Sequence, residues 1–305
     1  MKDNDLLVWA QQKADEAQKR LDERKLSHLN PIKYPQQDFF IADIFDAISF
    51  RTDIASMEYP IFALKAGDER TIEYVHNQIK TTIRPSTGIG RATIHDKDIW
   101  IYCISKLMQA VFEKKEINQT VRFTIYDYLV TTNRETGGIN YERTKDSLDR
   151  LAGTRIKIES EDKKERLTKG FGLIDSWTVV ERKDGRMIRV EVKLPDWLYH
   201  SVANNKVLTL SPDYFRLRKP LDRRIYELSR KHCGNQSEFK ISLDLLHKKT
   251  GSSAPIRNFR IAIKSLAESN ELPDYIVKYD AVKDMVIFKN RNAKPFMKDL
   301  FNGNC

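Results

Sequence analysis

The sequence predicts an α+β protein that contains two tandem domains with the same order of helices and strands. Three observations predict this: the length of 305 residues, an element order that occurs twice, and a sharp difference in charge between the two parts of the chain. A chain of this length can bury two cores of ordinary size. A composition of 40% hydrophobic and 31% charged residues is typical of a globular protein.

The first copy of the element order follows three expected strands, Met57–Leu64, Thr71–Tyr74 and Gln78–Ile83. Its long helix, His95–Glu116, has an apolar stripe formed by Ile99, Cys103, Leu107 and Ala110. We expect Asp96 and Asp98 to compensate the positive N-terminal end of that helix. The remaining expected elements are strand Val121–Phe123, helix Ile125–Thr132 capped by Thr124, helix Asn140–Ala152, and strands Arg155–Glu159, Phe171–Arg182 and Met187–Leu194.

The second copy begins with the helix Pro220–His232, which Gly234 follows. A short strand, a capped helix, a glycine turn, a second helix and a hairpin come next. These elements are Phe239–Ile241, Leu243–Thr250 with Ser242 as cap, Gly251, a helix from Pro255 to about Ser269, and strands Tyr275–Tyr279 and Met285–Lys289.

This order, helix, strand, helix, turn, helix and hairpin, is that of a winged-helix domain, a helix-turn-helix with a β-hairpin wing. We therefore expect an N-terminal winged-helix domain over residues 38–200 and a C-terminal one over residues 206–292, with a linker near Trp197–Lys206. Residues 1–37 are expected to form a charged helix (Asp5–Leu26) and a linker, and residues 293–305 a flexible tail.

The net charge of +10 is concentrated in the last third of the chain. Residues 206–298 hold 20 Lys and Arg against 10 Asp and Glu, whereas the first 205 residues are nearly balanced. Such concentration is the expected electrostatic footprint of a domain that binds phosphate, and double-stranded DNA is the expected partner. A solvated basic surface without a partner is the alternative.

The second helix of a helix-turn-helix enters the major groove, and in the C-terminal copy it has two distinct faces. Ile256, Phe259, Ile263 and Leu266 form the expected buried stripe, and a separate basic face contains no acidic residue from Ile256 to Ala267. Arg257 and Arg260 are candidates to read guanine, and Asn258 to read adenine. The expected phosphate contacts are Lys264, Ser252, Ser253, Lys248 and Lys249, with Lys278 and Lys283 of the wing reaching the flanking backbone.

The N-terminal copy gives a weaker signal for DNA. Leu148 and Leu151 mark the core side of its second helix, and Thr144 stands where an apolar residue is expected. Arg143 and Lys145 are the candidate DNA contacts, but Glu142, Asp146 and Asp149 offset their charge. Secondary DNA contacts and protein contacts both remain open for this domain.

The sequence does not favour an enzyme. It contains no GxxxxGK[ST] phosphate loop, no HExxH and no Cys/His ligand spacing, and its histidines are isolated. No cofactor and no metal are implied, and three scattered cysteines suggest no disulfide framework. The charged stretch Met1 to Arg24 lacks the apolar core of a signal peptide, and no apolar run is long enough to span a bilayer, so we expect a cytoplasmic protein.

Four segments resemble the replication initiator protein A family of bacterial plasmids: Phe39–Asp68, Ala92–Ala110, Thr136–Thr154 and Gly170–Trp177. The resemblance covers about residues 38–290, and Thr144 departs from the apolar residue that family members prefer. It implies a protein that binds repeated sites (iterons) at a plasmid origin, with the C-terminal winged helix dominating and the N-terminal one assisting in DNA contact and dimerisation.

The resemblance also implies partners and regulation. Related initiators assist the melting of an adjacent AT-rich segment and recruit the host initiator and the replicative helicase. Their dimers often repress their own gene, whereas monomers initiate. Two other functions stay open from the residues: a winged-helix transcription regulator without an initiating role, and an enzyme that nicks or primes DNA.

Overall fold

The computed structural model describes residues 29–34, 39–41, 60–76, 79–161, 165–183, 187–204 and 207–293, which form a mixed helix and sheet fold. The strands are β1 Phe39–Ile41, β2 Ile72–His76, β3 Ile79–Arg84, β4 Thr120–Phe123, β5 Arg155–Glu161, β6 Arg166–Gly172, β7 Ser176–Glu181, β8 Met187–Lys193, β9 Leu208–Leu210, β10 Glu238–Ser242, β11 Tyr275–Asp280 and β12 Met285–Asn290. The helices are α1 Lys97–Phe112, α2 Ile125–Thr131, α3 Gly138–Gly153, α4 Asp196–Ala203, α5 Pro220–His232, α6 Leu243–Thr250 and α7 Ile256–Ser269. A 3-10 helix covers Pro212–Arg216.

The first of two hydrophobic clusters belongs to the elements from β2 to α4. Two antiparallel sheets contribute to it, a four-stranded one in the order β2-β3-β5-β6 and a three-stranded one in the order β4-β8-β7. Leu148 and Leu151 of α3 are fully buried, as the sequence predicts. The predicted cap of α2 is confirmed, because the Thr124 hydroxyl accepts a hydrogen bond from the Asp127 amide at 3.1 Å.

The second cluster belongs mainly to α5, α6, α7 and the antiparallel sheet β10-β12-β11. The elements of this unit lie within two residues of their predicted bounds. Ser242 caps α6 by accepting a hydrogen bond from the Leu245 amide at 3.3 Å. Gly251 ends α6 with a φ of 68°, a left-handed conformation that glycine adopts without steric cost.

Two segments connect the clusters. β1 precedes the first unit in the chain but pairs with β9, and Phe39 packs edge-to-face on Phe215 in the second cluster. Helix α1 is buried on several sides, because Ile101 belongs to the second cluster and its neighbours Trp100 and Tyr102 to the first. The two units therefore share one helix rather than meeting only through a linker.

Buried ion pairs lie at the start of α1. The fully buried carboxylate of Asp98 accepts hydrogen bonds from Arg134 and from Arg223 of α5, both at 2.6 Å. Beside it, the Lys97 ammonium pairs with Glu227 at 2.8 Å, and both groups are buried. Burial alone would raise the pKa of Asp98, but the charges and hydrogen bonds of the two arginines outweigh it and lower that pKa.

These contacts add distant partners to the expected local role of the acidic residues at the start of α1. Asp96 pairs with Arg150 through two hydrogen bonds of 2.8 Å, and Asp98 holds two arginines from different elements. Asp96 is the N-cap residue and Asp98 lies in the first turn, as expected, and both also bind arginine side chains. The spacing at a helix start predicted a local role because it contains no information about distant cations.

Three element predictions were wrong. The described part of the expected strand Met57–Leu64, from residue 60 onward, is irregular apart from a single bridge between Ala63 and Thr93. The expected strand Phe171–Arg182 is two strands, β6 and β7, because Leu173 and Ile174 leave the sheet and are buried. The expected linker near Trp197–Lys206 contains α4, which buries Leu198 and Val202.

Two helix residues, Ile256 and Thr144, do not match the usual environment of their residue type. Ile256 was expected in the buried stripe of α7 but is 38% exposed, because the first residue of the helix lies beyond the edge of the core. Thr144 is buried, and its hydroxyl donates to the Asn140 carbonyl at 2.7 Å, so a polar residue fits the apolar side of α3. The expected helix Asp5–Leu26 and the tail from residue 294 lie outside the described residues, as do residues 184–186 of the first hairpin.

Candidate nucleic-acid interface

Helices α6 and α7 are joined by a short turn whose shape is fixed by side chains. The His247 Nε2 atom lies 2.8 Å from the Ala254 carbonyl oxygen, and its ring packs on Phe259. The Ser252 hydroxyl accepts a hydrogen bond from the Ala254 amide at 3.2 Å. These contacts set the direction of α7 relative to α6.

Helix α7 separates its residues by polarity. Phe259, Ile263 and Leu266 are buried against the sheet and α6. Arg257, Asn258 and Lys264 are exposed on the opposite side. Among the described residues, the Arg257 guanidinium has neither an ion-pair nor a hydrogen-bond partner. Its donors are therefore available to an acceptor on another molecule.

Arg260, the second candidate for reading guanine, is held by the hairpin β11–β12. Its Nη2 atom donates to Asp284 Oδ2 at 3.0 Å, and its Nε atom donates to the Tyr279 hydroxyl at 3.1 Å. The Tyr279 hydroxyl in turn donates to Asp284 Oδ1 at 2.6 Å. The Arg260 guanidinium, with its hydrogen bonds, lowers the pKa of Asp284, so the carboxylate is charged at neutral pH.

The tip of that hairpin lies beside α7. The Lys264 ammonium is 5.5 Å from the centre of the Tyr279 ring, a cation–π distance. Lys278 and Lys283 are exposed, and Val282 at the tip is 95% exposed. Asp280 closes the turn by accepting hydrogen bonds from the amides of Val282 and Lys283.

The other phosphate candidates of this unit surround the turn between α6 and α7. Ser253 is exposed, and Lys248 forms an exposed ion pair with Asp244 at 2.6 Å. Lys249 is partly buried, and its carbonyl oxygen accepts a hydrogen bond from the Arg224 side chain. An open cleft next to this turn is lined by Lys65, Lys219, Ser252 and Ser253, so the loop before β2 adds a cation that the sequence did not single out.

The corresponding helix of the first unit, α3, presents a different surface. Lys145 pairs with Glu181 at 2.6 Å and with Glu142 at 3.4 Å, and these carboxylates raise its pKa. Arg143 is exposed, but Asp146 and Asp149 are exposed on the same helix. The structure therefore places the two candidate cations of α3 among carboxylates, which disfavours contact with phosphate.

Sequence reasoning missed three residues of this surface. Ile261 is 59% exposed between Arg257 and Lys264, and its position off the apolar stripe was the available signal. Tyr279 and Asp284 bind Arg260 from a hairpin that follows it by about 20 residues, and no local pattern gives that pairing.

Comparison with known proteins then assigns a family. A family model described as replication initiator protein A matches residues 51–277 of the chain. The chain belongs to this family. The match includes the whole of α7 and ends within β11, so Tyr279 and Asp284 lie beyond it.

One relative supports the membership of this replication initiator protein A chain. A protein named "Putative replication protein" from Wigglesworthia glossinidia brevipalpis is 45% identical over 261 residues, which cover 84% of this chain and 94% of that protein. Two crystal structures of domains 2 and 3 of RctB have a similar fold, with TM-scores of 0.57 and 0.52. Each covers 78% of this chain and 97% of the RctB chain, at 14% and 12% identity.

The described residues of this family member contain no group of three or more His, Cys, Asp or Glu side chains placed to hold a metal ion. None of their helices is both long enough and apolar enough to cross a membrane.

Proposed function

We propose that this replication initiator protein A member initiates plasmid replication by binding repeated double-stranded DNA sites, iterons, at the origin. The observation that carries the proposal is the exposed face of α7, where Arg257, Asn258 and Lys264 stand without a neighbouring carboxylate from Ile256 to Ala267. A cationic helix face of this kind fits the acceptor-rich major groove of duplex DNA.

The element order supports a tandem winged-helix architecture. In the proposed C-terminal domain, residues 206–292, α6 and α7 form the helix-turn-helix and β11–β12 the wing. In the proposed N-terminal domain, residues 38–200, α2 and α3 take the same roles and β7–β8 form the hairpin. The RctB structures share the overall fold but leave this finer description as a proposal.

The proposed roles follow from exposure and charge. Arg257, Asn258 and Arg260 read base edges, and Lys264, Ser252, Ser253, Lys248 and Lys249 contact phosphates near the turn. Lys278 and Lys283 of the wing contact the flanking backbone. Arg143 and Lys145 contribute less, because α3 carries more exposed carboxylates than unpaired cations.

The remaining proposals come from the family. The N-terminal domain serves dimerisation and other protein contacts more than base reading. The bound protein assists opening of an adjacent AT-rich segment, recruits the host initiator and replicative helicase, and represses its own gene as a dimer. We propose that it acts in the bacterial cytoplasm, without a cofactor and without catalysing a reaction.

Titration of origin DNA with the full chain tests this function. Arg257→Ala and Arg260→Ala should each weaken specific binding by roughly 1–3 kcal/mol and relax one base position. Lys249→Ala should weaken all sequences about equally and lower the slope of log affinity against log salt by about one. If both arginine variants keep wild-type affinity and selectivity, α7 is not the reading helix.

A replication assay separates the initiator from a transcription regulator of the same fold. A plasmid that lacks only this gene is supplied with the protein in trans. Replication of that plasmid is the expected result, and failure to replicate would favour the regulator. Nicks or primers formed when supercoiled origin DNA is incubated with the protein and Mg²⁺ would instead indicate an enzyme.

A further inference from the structure

We propose that Ile261 determines part of the sequence specificity by contacting the C5-methyl group of a thymine in the bound duplex. This inference rests on the proposed function, because it names one chemical group that the exposed face of α7 reads. Its basis is the position of a single large apolar side chain within a polar surface.

The fold does not account for an isoleucine at this position. Ile261 is 59% exposed, whereas the core side of α7 is already filled by Phe259, Ile263 and Leu266. Isoleucine also favours a helix less than lysine, arginine or glutamate does, so local propensity does not select it. An isolated exposed apolar residue is common in proteins and would by itself carry no inference.

The neighbours of Ile261 distinguish it from such an isolated residue. Residues three and four positions apart are adjacent on a helix surface, which places Arg257, Asn258 and Lys264 next to it. All three are exposed and carry hydrogen-bond donors. An apolar side chain among cationic and amide donors is unsuited to a basic or a purely apolar partner, and it suits a partner that presents hydrogen-bond acceptors beside an apolar group.

Duplex DNA offers a surface of the complementary pattern. In the major groove a thymine presents its C5-methyl group beside the O4 acceptor, and purines present N7. A helix that places donors on these acceptors would bring Ile261 against the groove floor, where the thymine methyl is the apolar group. Arg260, held by Tyr279 and Asp284, fixes how far α7 lies from the wing.

The size of the effect follows from the apolar area covered. Burial of about 40 Å² at roughly 25 cal/mol per Å² corresponds to about a fivefold change in dissociation constant. An effect of this size is measurable by titration. It lies at the lower end of the loss expected for either arginine, so the two kinds of contact are distinguished by their response to loss of the thymine methyl group rather than by size.

Replacing thymine with deoxyuridine tests the proposal, since this change removes the methyl group alone. A duplex is first selected by the full-length chain from random-sequence DNA, and each thymine in it is then replaced singly. Wild-type protein should lose about fivefold in affinity at one thymine. Ile261→Ala should bind the unmodified duplex about fivefold more weakly and lose nothing further at that position.

Val75→Ala provides a matched control, because Val75 is 73% exposed on β2 in the other unit. This variant should keep the wild-type response to deoxyuridine. Wild-type indifference to deoxyuridine at every thymine, or an unchanged response in Ile261→Ala, would overturn the inference while the proposed function stands. A shift of Ile261→Ala in oligomeric state or in melting temperature, with DNA binding unchanged, would also overturn it.

A protein that selects no sequence from the random pool gives a distinct result. It would contradict the proposed function itself and, because the thymine contact rests on that function, the thymine contact as well. The selection step and the deoxyuridine step therefore report separately on the two claims.

Discussion

Arg260 shows how a base-reading candidate can depend on residues outside its own helix. Its guanidinium uses Nε and Nη2 to bind Tyr279 and Asp284, which leaves Nη1 without a partner among the described residues. A side chain fixed in this way loses less conformational entropy on binding than a mobile one. Asp284 and Tyr279 are thus expected to orient the Arg260 fork toward the groove.

Removal of the Asp284 charge tests this orienting role. Asp284→Asn should lower the ratio of specific to non-specific affinity, because Arg260 gains rotamers that no longer favour one base. Affinity for random DNA should stay equal or rise, since a carboxylate near phosphate is lost. Competition titration with single-base variants of the selected duplex measures both quantities.

Asp244→Asn is the matched control for that experiment. Asp244 is exposed and forms its ion pair with Lys248 on the preceding helix α6, so the same charge is removed without contact to Arg260. It should raise affinity for all sequences and leave selectivity unchanged. Equal loss of selectivity in both variants would show that charge alone, rather than the position of Arg260, explains the effect.

At the scale of elements, the turn between α6 and α7 packs directly on the first unit. A Cβ atom added to Gly251 would lie 2.4 Å from the Cβ of Pro60, far inside van der Waals contact. Pro60 and the cleft residue Lys65 belong to the loop before β2, so this loop and the turn form one surface. The position of α7 therefore depends on a segment more than 190 residues earlier in the chain.

Gly251→Ala should be strongly destabilising for two reasons. Alanine is strained at a φ of 68°, and its methyl group would displace Pro60. Together these effects should lower the free energy of unfolding by about 2–4 kcal/mol. Gly138→Ala, at the first residue of α3 with nothing within 4 Å, should not lower it by more than about 0.5 kcal/mol. Urea unfolding of both variants checks this, and equal midpoints would contradict the contact.

At the scale of the whole molecule, the buried charges around Asp98 join the two units. Burying ions is costly, and such pairs more often fix an arrangement than add stability. Arg223 comes from the second unit and Arg134 from the first, so one carboxylate sets the relative position of both. Helix α1, which both clusters share, and the pairing of β1 with β9 also hold the two units together.

Asp98→Asn should therefore lower the free energy of unfolding more than the loss of an exposed ion pair does. It removes the carboxylate partner of the buried Arg223 and the partly buried Arg134, and it should cost about 3–5 kcal/mol of unfolding free energy. Glu135→Gln removes the partner of Lys33 in an exposed pair and should cost less than about 1 kcal/mol. Calorimetry measures the melting temperatures of both variants. Similar values would argue against the role of Asp98 in joining the two units.

The same region predicts a dependence of stability on pH. Burial, reinforced by the charge of Arg223, lowers the pKa of His95 from 6.5 to about 4, although Asp98 and Asp96 act in the opposite direction. The unfolded chain therefore binds a proton first, and stability falls as pH decreases from about 6.5 to about 4. The loss should approach roughly 3 kcal/mol at the acid end.

His95→Gln isolates this contribution, because glutamine does not titrate and the backbone carbonyl that accepts from Arg134 is retained. Wild type and variant should show parallel stability above about pH 7 and diverge below it, with the wild type losing more. Denaturant midpoints measured across this range check the prediction. Parallel curves over the whole range would contradict it.

Local patterns predicted most elements of the second unit. Pro220 at the first turn, the Ser242 cap and Gly251 define ends that the structure places at the same residues. They could be predicted because each signal acts within a few residues of where it lies. The expected strand Met57–Leu64 was wrong, because Ile61 and Phe62 are buried from an irregular segment. The split of β6 from β7 was missed, because Leu173 and Ile174 are buried between the two strands.

By itself, the sequence determined the order of elements, the concentration of positive charge after residue 205 and the basic face of α7. These depend on the identity and spacing of nearby residues, which periodicity and charge counting capture. Tertiary structure alone decided that Asp284 forms an ion pair with Arg260 and that Glu181 forms one with Lys145. It also decided that Asp98 joins the two units. Each is an interaction between residues far apart in the chain, and only the folded backbone brings such charges within hydrogen-bonding distance.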